Sequence, residues 1–204
     1  MTLWVKICGL TTPEAVAAAV SARADAIGFV FAPSKRRVTA AQAKQLAGAA
    51  PSHIQRVAVM LHPDQQCMDE ICALFKPDVV QTDADDLRSL RIPAYMQMLP
   101  VFRNGIAGGS VLPPRVLFEG ARSGTGERAD WSQAAALARR TQLILAGGLN
   151  ARNVGSAIAA VAPFGVDVST GVEREPGIKD SRLIHEFVRA ARAAVREVGE
   201  SNAG

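Results

Sequence analysis

Strand and helix signals alternate along the whole chain, and that alternation limits its fold more than any other feature. Short β-branched runs that stop at glycine, proline or polar residues are followed by Ala-rich stretches with helical spacing. Strands are predicted at residues 5–8, 24–31, 56–61, 78–81, 94–102, 115–119, 142–146 and 165–169. Thr12 suits the N-cap of a first helix with Pro13 at its first position, and Thr39 caps a second. Further helices are predicted at 63–75, 131–139 and 181–198, with Asn150 capping one that runs to about 161. Residues 83–90 read as a weak helix, and 103–112, with three glycines, show little sign of one. Eight strands with intervening helices predict a parallel sheet closed as a (β/α)8 barrel with a degenerate fifth helix. The whole of 1–204 is read as one domain, near the lower size limit for this fold, with a frayed tail after Val198. An open doubly wound sheet is the rival, but it does not require eight regular units.

The first strand carries an anomaly. Along Val5-Lys6-Ile7-Cys8 the side chains alternate, so Lys6 and Cys8 share one face. An ammonium and a thiol are poor core material, and their presence there points to function. The chain has three cysteines, Cys8, Cys67 and Cys72, without paired or zinc-like spacing, which argues against a disulfide framework and a zinc site. Cys67 and Cys72 fit a helical core pattern. Its histidines, His53, His62 and His185, are far apart, so acid–base chemistry falls to carboxylates or a thiol.

Net charge is +4, carried by 18 Arg and 5 Lys that are mostly scattered. Only 5% of residues are aromatic, so the basic stripe with interleaved aromatics of a nucleic-acid binder is missing. A small anionic ligand suits the charge better. No apolar run reaches the roughly 18 residues of a membrane span, and no signal segment precedes the first strand, so the expected address is the cytoplasm.

In a (β/α)8 barrel the chemistry sits where strands end and βα loops begin. Strand seven ends in Ala146-Gly147-Gly148-Leu149, and strand eight in Asp167-Val168-Ser169-Thr170-Gly171. Glycines there let backbone N–H groups approach an anion, and these two loops are the frequent phosphate site of the fold. Gly147, Gly148, Ser169, Thr170 and Gly171 are therefore the predicted phosphate-binding residues. Gly124-Thr125-Gly126-Glu127-Arg128-Ala129 matches a dinucleotide fingerprint in form. It stands several residues after its strand, however, and Ile144-Leu145-Ala146 occupies the place of the acidic ribose ligand.

Taken together, these blocks resemble the phosphoribosylanthranilate isomerase family of tryptophan biosynthesis. The resemblance rests on Lys6-Ile7-Cys8-Gly9-Leu10-Thr11, Gly28-Phe29-Val30-Phe31 with Ser34-Lys35-Arg36, and Gly124-Thr125-Gly126 before Asp130-Trp131. Ala146-Gly147-Gly148-Leu149 with Asn153-Val154, Gly165 to Glu173, Pro176-Gly177 and Lys179-Asp180 complete it, in the family's order from residue 5 to about 187. It implies an Amadori rearrangement of N-(5-phosphoribosyl)anthranilate to 1-(2-carboxyphenylamino)-1-deoxyribulose 5-phosphate, with neither redox cofactor nor metal.

The resemblance assigns the base to Cys8 and the acid to Asp130, the anthranilate carboxylate clamp to Arg36, and a polar contact near the reacting sugar to Asp167. Lys6, on the Cys8 face, is expected to favour the thiolate. Asp130 opens a helix, which stabilises its charged form and opposes acid duty. Thr82-Asp83-Ala84 stands where the family usually reads Leu-His-Gly, and Glu119 where it usually has Asp. A catalytically weakened sugar-phosphate sensor and a related-pathway sugar-phosphate isomerase are the alternatives. The last helix reads as barrel cover, so a monomer is expected.

Overall fold

The computed structural model describes residues 3–103, 111–121 and 126–201, with backbone alone for 196–201. Its elements in chain order are β1 (Trp4–Cys8), α1 (Pro13–Ser21), β2 (Ala26–Val30), α2 (Ala40–Ala47), β3 (Gln55–Val59) and α3 (Gln65–Leu74). Next come β4 (Val79–Asp83), β5 (Gln97–Phe102), β6 (Arg115–Phe118), α4 (Trp131–Ala138), β7 (Gln142–Leu145), α5 (Val154–Val161) and β8 (Gly165–Val168). A small antiparallel pair, β9 (Glu173–Glu175) and β10 (Ile178–Lys179), precedes α6 (Ser181–Ser201). Strands β1 to β8 pair in chain order, all parallel, and β8 closes onto β1. The predicted (β/α)8 barrel is the fold.

Strand alternation builds two apolar layers. Ala26, Val57, Val79, Leu99, Leu117 and Ile144 pack inside the barrel, while Val5, Ile7, Ile27, Val80, Val116 and Leu145 face the helices. In α6 the buried positions Ile184, Phe187, Val188, Ala191 and Ala194 recur at helical spacing, which turns one face onto the barrel. Each large side chain among them contributes roughly 1.5–3 kcal/mol by burial.

Caps set where the helices begin. Thr12 Oγ1 accepts from Ala15 N, Thr39 and Gln42 form a reciprocal capping box, and Asp64 accepts from Cys67 N. The α3 start is therefore two residues later than 63, because Asp64 takes the cap. The helix predicted to start at Asn150 begins instead at Val154. Residues 150–153 form a tight turn in which Asn153 Oδ1 accepts from Asn150 N at 2.9 Å and Asn150 Oδ1 accepts from Arg152 N.

The weak helix at 83–90 reduces to one 3-10 turn, Asp86–Arg88. Its start is claimed by tertiary contacts: the Asp86 carboxylate accepts from Thr82 Oγ1 and from His62 N. Between β5 and β6, Arg103 and residues 111–114 carry no helix, and residues 104–110 lie outside the described residues. At the C-terminus the helix continues to Ser201, three residues beyond the predicted end.

Candidate active site

Register places the first charged pair. Lys6 on β1 lies opposite Asp167 on β8, and both are buried. Lys6 Nζ donates to Asp167 Oδ1 at 2.9 Å and to Gln81 Oε1 of β4 at 2.8 Å, so the ammonium spans the barrel interior. Burial acts to lower the Lys6 pKa, but Asp167 and Cys8 beside it prevail and raise it. The pair is a fixed ionic plug beneath the C-terminal mouth.

Cys8 ends β1 above that plug, 6% exposed. Burial pushes its thiol above the ordinary value; Lys6 pulls it down, Asp167 pushes it up again, and Lys179 pulls it down. Lys6 thus favours the thiolate as expected, but burial outweighs it and the thiol form prevails in the free protein. Lys6 is also bound to Asp167, whose negative charge acts on the thiol in the opposite direction.

Arg36 sits over the same strand end. A Cβ added to Gly9 would lie 2.6 Å from Arg36 Cδ and 3.2 Å from Ser169 Oγ, so the turn after Cys8 is wedged between the two. Arg36 donates through Nε to Glu173 Oε1 at 2.7 Å and through a terminal nitrogen to Glu173 Oε2 at 2.8 Å. This is the fork geometry of guanidinium and carboxylate, and it raises the Arg36 pKa further. Glu173 also accepts from Lys179 Nζ at 2.7 Å and from Gly177 N, and its carboxyl is lowered to about 2 despite the opposing effect of burial. In the sequence Glu173 and Lys179 stand out only as parts of motifs. Their separation from Arg36 along the chain concealed the pairing.

Asp130 caps α4. Its Oδ1 accepts from Ser132 N and Gln133 N, and its Oδ2 from the Gln133 side chain at 3.0 Å. It is exposed, and the Gln133 backbone N–H leads these donors in holding its carboxyl below the ordinary value. The Arg128 guanidinium covers the neighbouring Trp131 ring at 3.6 Å.

The loops after β7 and β8 meet in a small cavity of about 50 Å³, lined among others by Gly147, Gly148, Ser169 and Thr170. Gly148 has φ +65°, and a Cβ there would stand 2.9 Å from Gly126 O. A Cβ on Gly171 would lie 1.9 Å from Leu149 O, so glycine is what lets the two loops touch. Asn153 Nδ2 ties the first loop by donating to Gly148 O at 2.8 Å. Gly124 and Thr125 lie outside the described residues; Gly126 has φ +80° and packs on Thr170.

The two departures in the mouth are joined by one residue. Arg103 pairs with Asp83 and, at 3.2 Å, with Glu119. His62, exposed on the loop after β3, bonds Asp86 at 2.9 Å. Among the described residues, His62, Asp83 and Asp86 bring possible metal-ligand atoms within 4.8 Å of one another. Asp83 is already committed to Arg103, and Asp86 to Thr82 and His62. A larger cavity, about 1010 Å³, runs along the β4–β6 flank and is lined by none of the predicted site residues.

Fold and site together define the class: a (β/α)8 barrel enzyme with a charged mouth around a β1 cysteine. The family model of N-(5'-phosphoribosyl)anthranilate (PRA) isomerase matches residues 5–190. An N-(5'-phosphoribosyl)anthranilate isomerase of Streptococcus pneumoniae is 41% identical over 94% of this chain and 96% of its own. One from Bradyrhizobium is 37% identical over 95% and 97%. A crystal structure of phosphoribosyl anthranilate isomerase in complex with reduced 1-(o-carboxyphenylamino)-1-deoxyribulose 5-phosphate superposes with TM-score 0.77 at 30% identity, covering 94% and 99% of the two chains. The Thermus thermophilus isomerase superposes with TM-score 0.80 at 26% identity, covering 96% of this chain and all of its own. The chain belongs to the N-(5'-phosphoribosyl)anthranilate isomerase family.

Proposed function

We propose that this barrel isomerises N-(5-phosphoribosyl)anthranilate in tryptophan biosynthesis, with Cys8 as base and Asp130 as acid. The acid protonates the furanose ring oxygen and opens the ring to a Schiff base. The base then removes the proton from C2 of the sugar, and the electrons move to give the enolamine that tautomerises to the aminoketose. Only protons are transferred, so the chemistry requires no redox cofactor and no metal.

The observation that carries the reading is the gathering of Cys8, Arg36 and the β8 loop at one barrel end, around the Gly9 turn. Arg36 already grips a carboxylate in fork geometry, the contact an anthranilate carboxylate needs. Gly147, Gly148, Ser169, Thr170 and Gly171 offer the substrate phosphate a backbone cradle, and Asp167 orients Lys6 beneath the reacting sugar. Asp130 serves as acid only when protonated, so substrate must displace the donors that hold its carboxyl down. The enzyme is read as a single-domain cytoplasmic monomer acting on this small dianionic and carboxylate-bearing substrate. Among the described residues no helix is long and apolar enough to cross a membrane.

Complementation of a strain lacking the isomerase tests this. Growth is expected with the wild type and lost with Cys8→Ser or Asp130→Asn. Growth unaffected by either substitution overturns the catalytic assignment, and no growth with the wild type overturns the function.

A further inference from the structure

Two cations and one carboxylate are joined beside the Gly9 turn that follows Cys8: Arg36 packs on that turn, Lys179 reaches it through Ser169, and Glu173 binds both. Glu173 divides its two oxygens between Arg36 and Lys179: Oε1 accepts from Arg36 Nε and from Lys179 Nζ, both at 2.7 Å, and Oε2 from the outer Arg36 nitrogen at 2.8 Å. Lys179 is also anchored to the loop beside the Gly9 turn, donating to Ser169 O at 2.9 Å and to Ser169 Oγ at 3.1 Å. Its side chain is 1% exposed and that of Glu173 is 4% exposed, so water screens neither well. An ammonium this deep, on a strand of two residues, is a costly feature for stability alone.

The charges around the thiol come from five elements. Lys6 of β1 and Asp167 of β8 compensate one another at 2.9 Å. Arg36, from the loop after β2, and Lys179, from β10, share the single charge of Glu173 on β9. The first group is neutral as a pair, whereas in the second Lys179 shares its carboxylate with Arg36.

Resting on Cys8 as the base, we propose that Lys179 is the positioning residue that readies this thiol, with Glu173 as the counter-ion that sets how strongly it does so. Glu173 thereby links the Arg36 clamp to the base. The direction of the Lys179 effect on Cys8, downward, and of the Cys8 effect on Lys179, upward, agrees with that arrangement.

The test is an NMR titration of Cys8 through its ¹³Cβ shift, in a Cys67→Ala/Cys72→Ala background that leaves one labelled thiol. Lys179→Met is expected to raise the Cys8 midpoint by about one pH unit, and Lys179→Arg to restore it. Glu173→Gln, which keeps hydrogen bonding but removes the opposing charge, is expected to lower it by a similar amount. Lys179→Met should also reduce kcat about tenfold or more with less than about threefold change in KM. Midpoints equal to wild type, or moving the same way in Lys179→Met and Glu173→Gln, would overturn the proposal and leave Lys179 a structural tie. If Lys179→Met does not fold, Glu173→Gln decides alone: a fall supports the link and no change refutes it. The readout needs no turnover, so it stands apart from the complementation test of Cys8 as base.

Discussion

Lys6 and Asp167 form an ion pair of 2.9 Å inside the barrel, with the lysine side chain fully buried. They are strand neighbours only because β8 closes onto β1. Removing one partner leaves the other charge buried without compensation, so Lys6→Met is expected to destabilise the fold by about 3–5 kcal/mol. The double change Lys6→Met/Asp167→Leu should recover much of that loss. Urea unfolding of the single and double variants checks the coupling.

Glu173 gives the protein an acid-sensitive element. Its folded-state carboxyl lies at about 2, below the ordinary 4.5, chiefly through Arg36 and Lys179 acting against burial. The stabilisation is present above pH 4.5 and is lost as pH falls toward 2. Allowing for partial screening it amounts to about 2 kcal/mol, and Glu173→Gln should flatten this part of the stability–pH curve. Unfolding midpoints between pH 2 and 6 measure it.

The Cys8 thiol moves the other way, raised chiefly by burial. A base that must lose this proton becomes more available as pH rises, while Asp130, the acid that must hold one, becomes less available above its lowered pKa; the two trends oppose, so kcat/KM should stay nearly flat across the neutral range. The same shift contributes stability that is present below the ordinary pKa and is lost as pH rises through the folded one. A kcat/KM profile for the wild type, set beside the stability curve, tests both limbs.

Asp130 separates catalysis from architecture. Asparagine is as good an N-cap as aspartate, so Asp130→Asn should leave α4 and thermal stability nearly unchanged. Loss of the acid should nevertheless lower kcat by about 10²–10⁴-fold. Circular dichroism melts and steady-state rates on one preparation distinguish the two effects.

The sequence carried the barrel because strand runs and caps are local signals: the β7 and β8 glycine loops, Thr12 and Thr39 all stand where local chemistry predicts. It missed what competing side-chain contacts decide, near in the chain as well as far from it. Asn150 lost the cap to Asn153 because its N–H is held by Asn153 Oδ1. Residues 83–90 lost their helix because Asp86 is bound by Thr82 and His62. Lys6 and Cys8 were legible as an odd polar face, but the rise of the thiol comes first from burial, and Asp167, 161 positions from Lys6, adds to it. The Arg36–Glu173 fork spans 137 positions and has no local signature. Arg103, which joins Asp83 to Glu119, was equally invisible until the strand ends came together.

The central claim is that Cys8 removes the C2 proton. Its most direct test is single-turnover conversion of N-(5-phosphoribosyl)anthranilate, with and without deuterium at C2 of the ribose, by wild type and Cys8→Ser. A primary isotope effect in the wild type, and a rate about 10²-fold or more lower in Cys8→Ser, is the predicted result. A Cys8→Ser enzyme that turns over at the wild-type rate would contradict it.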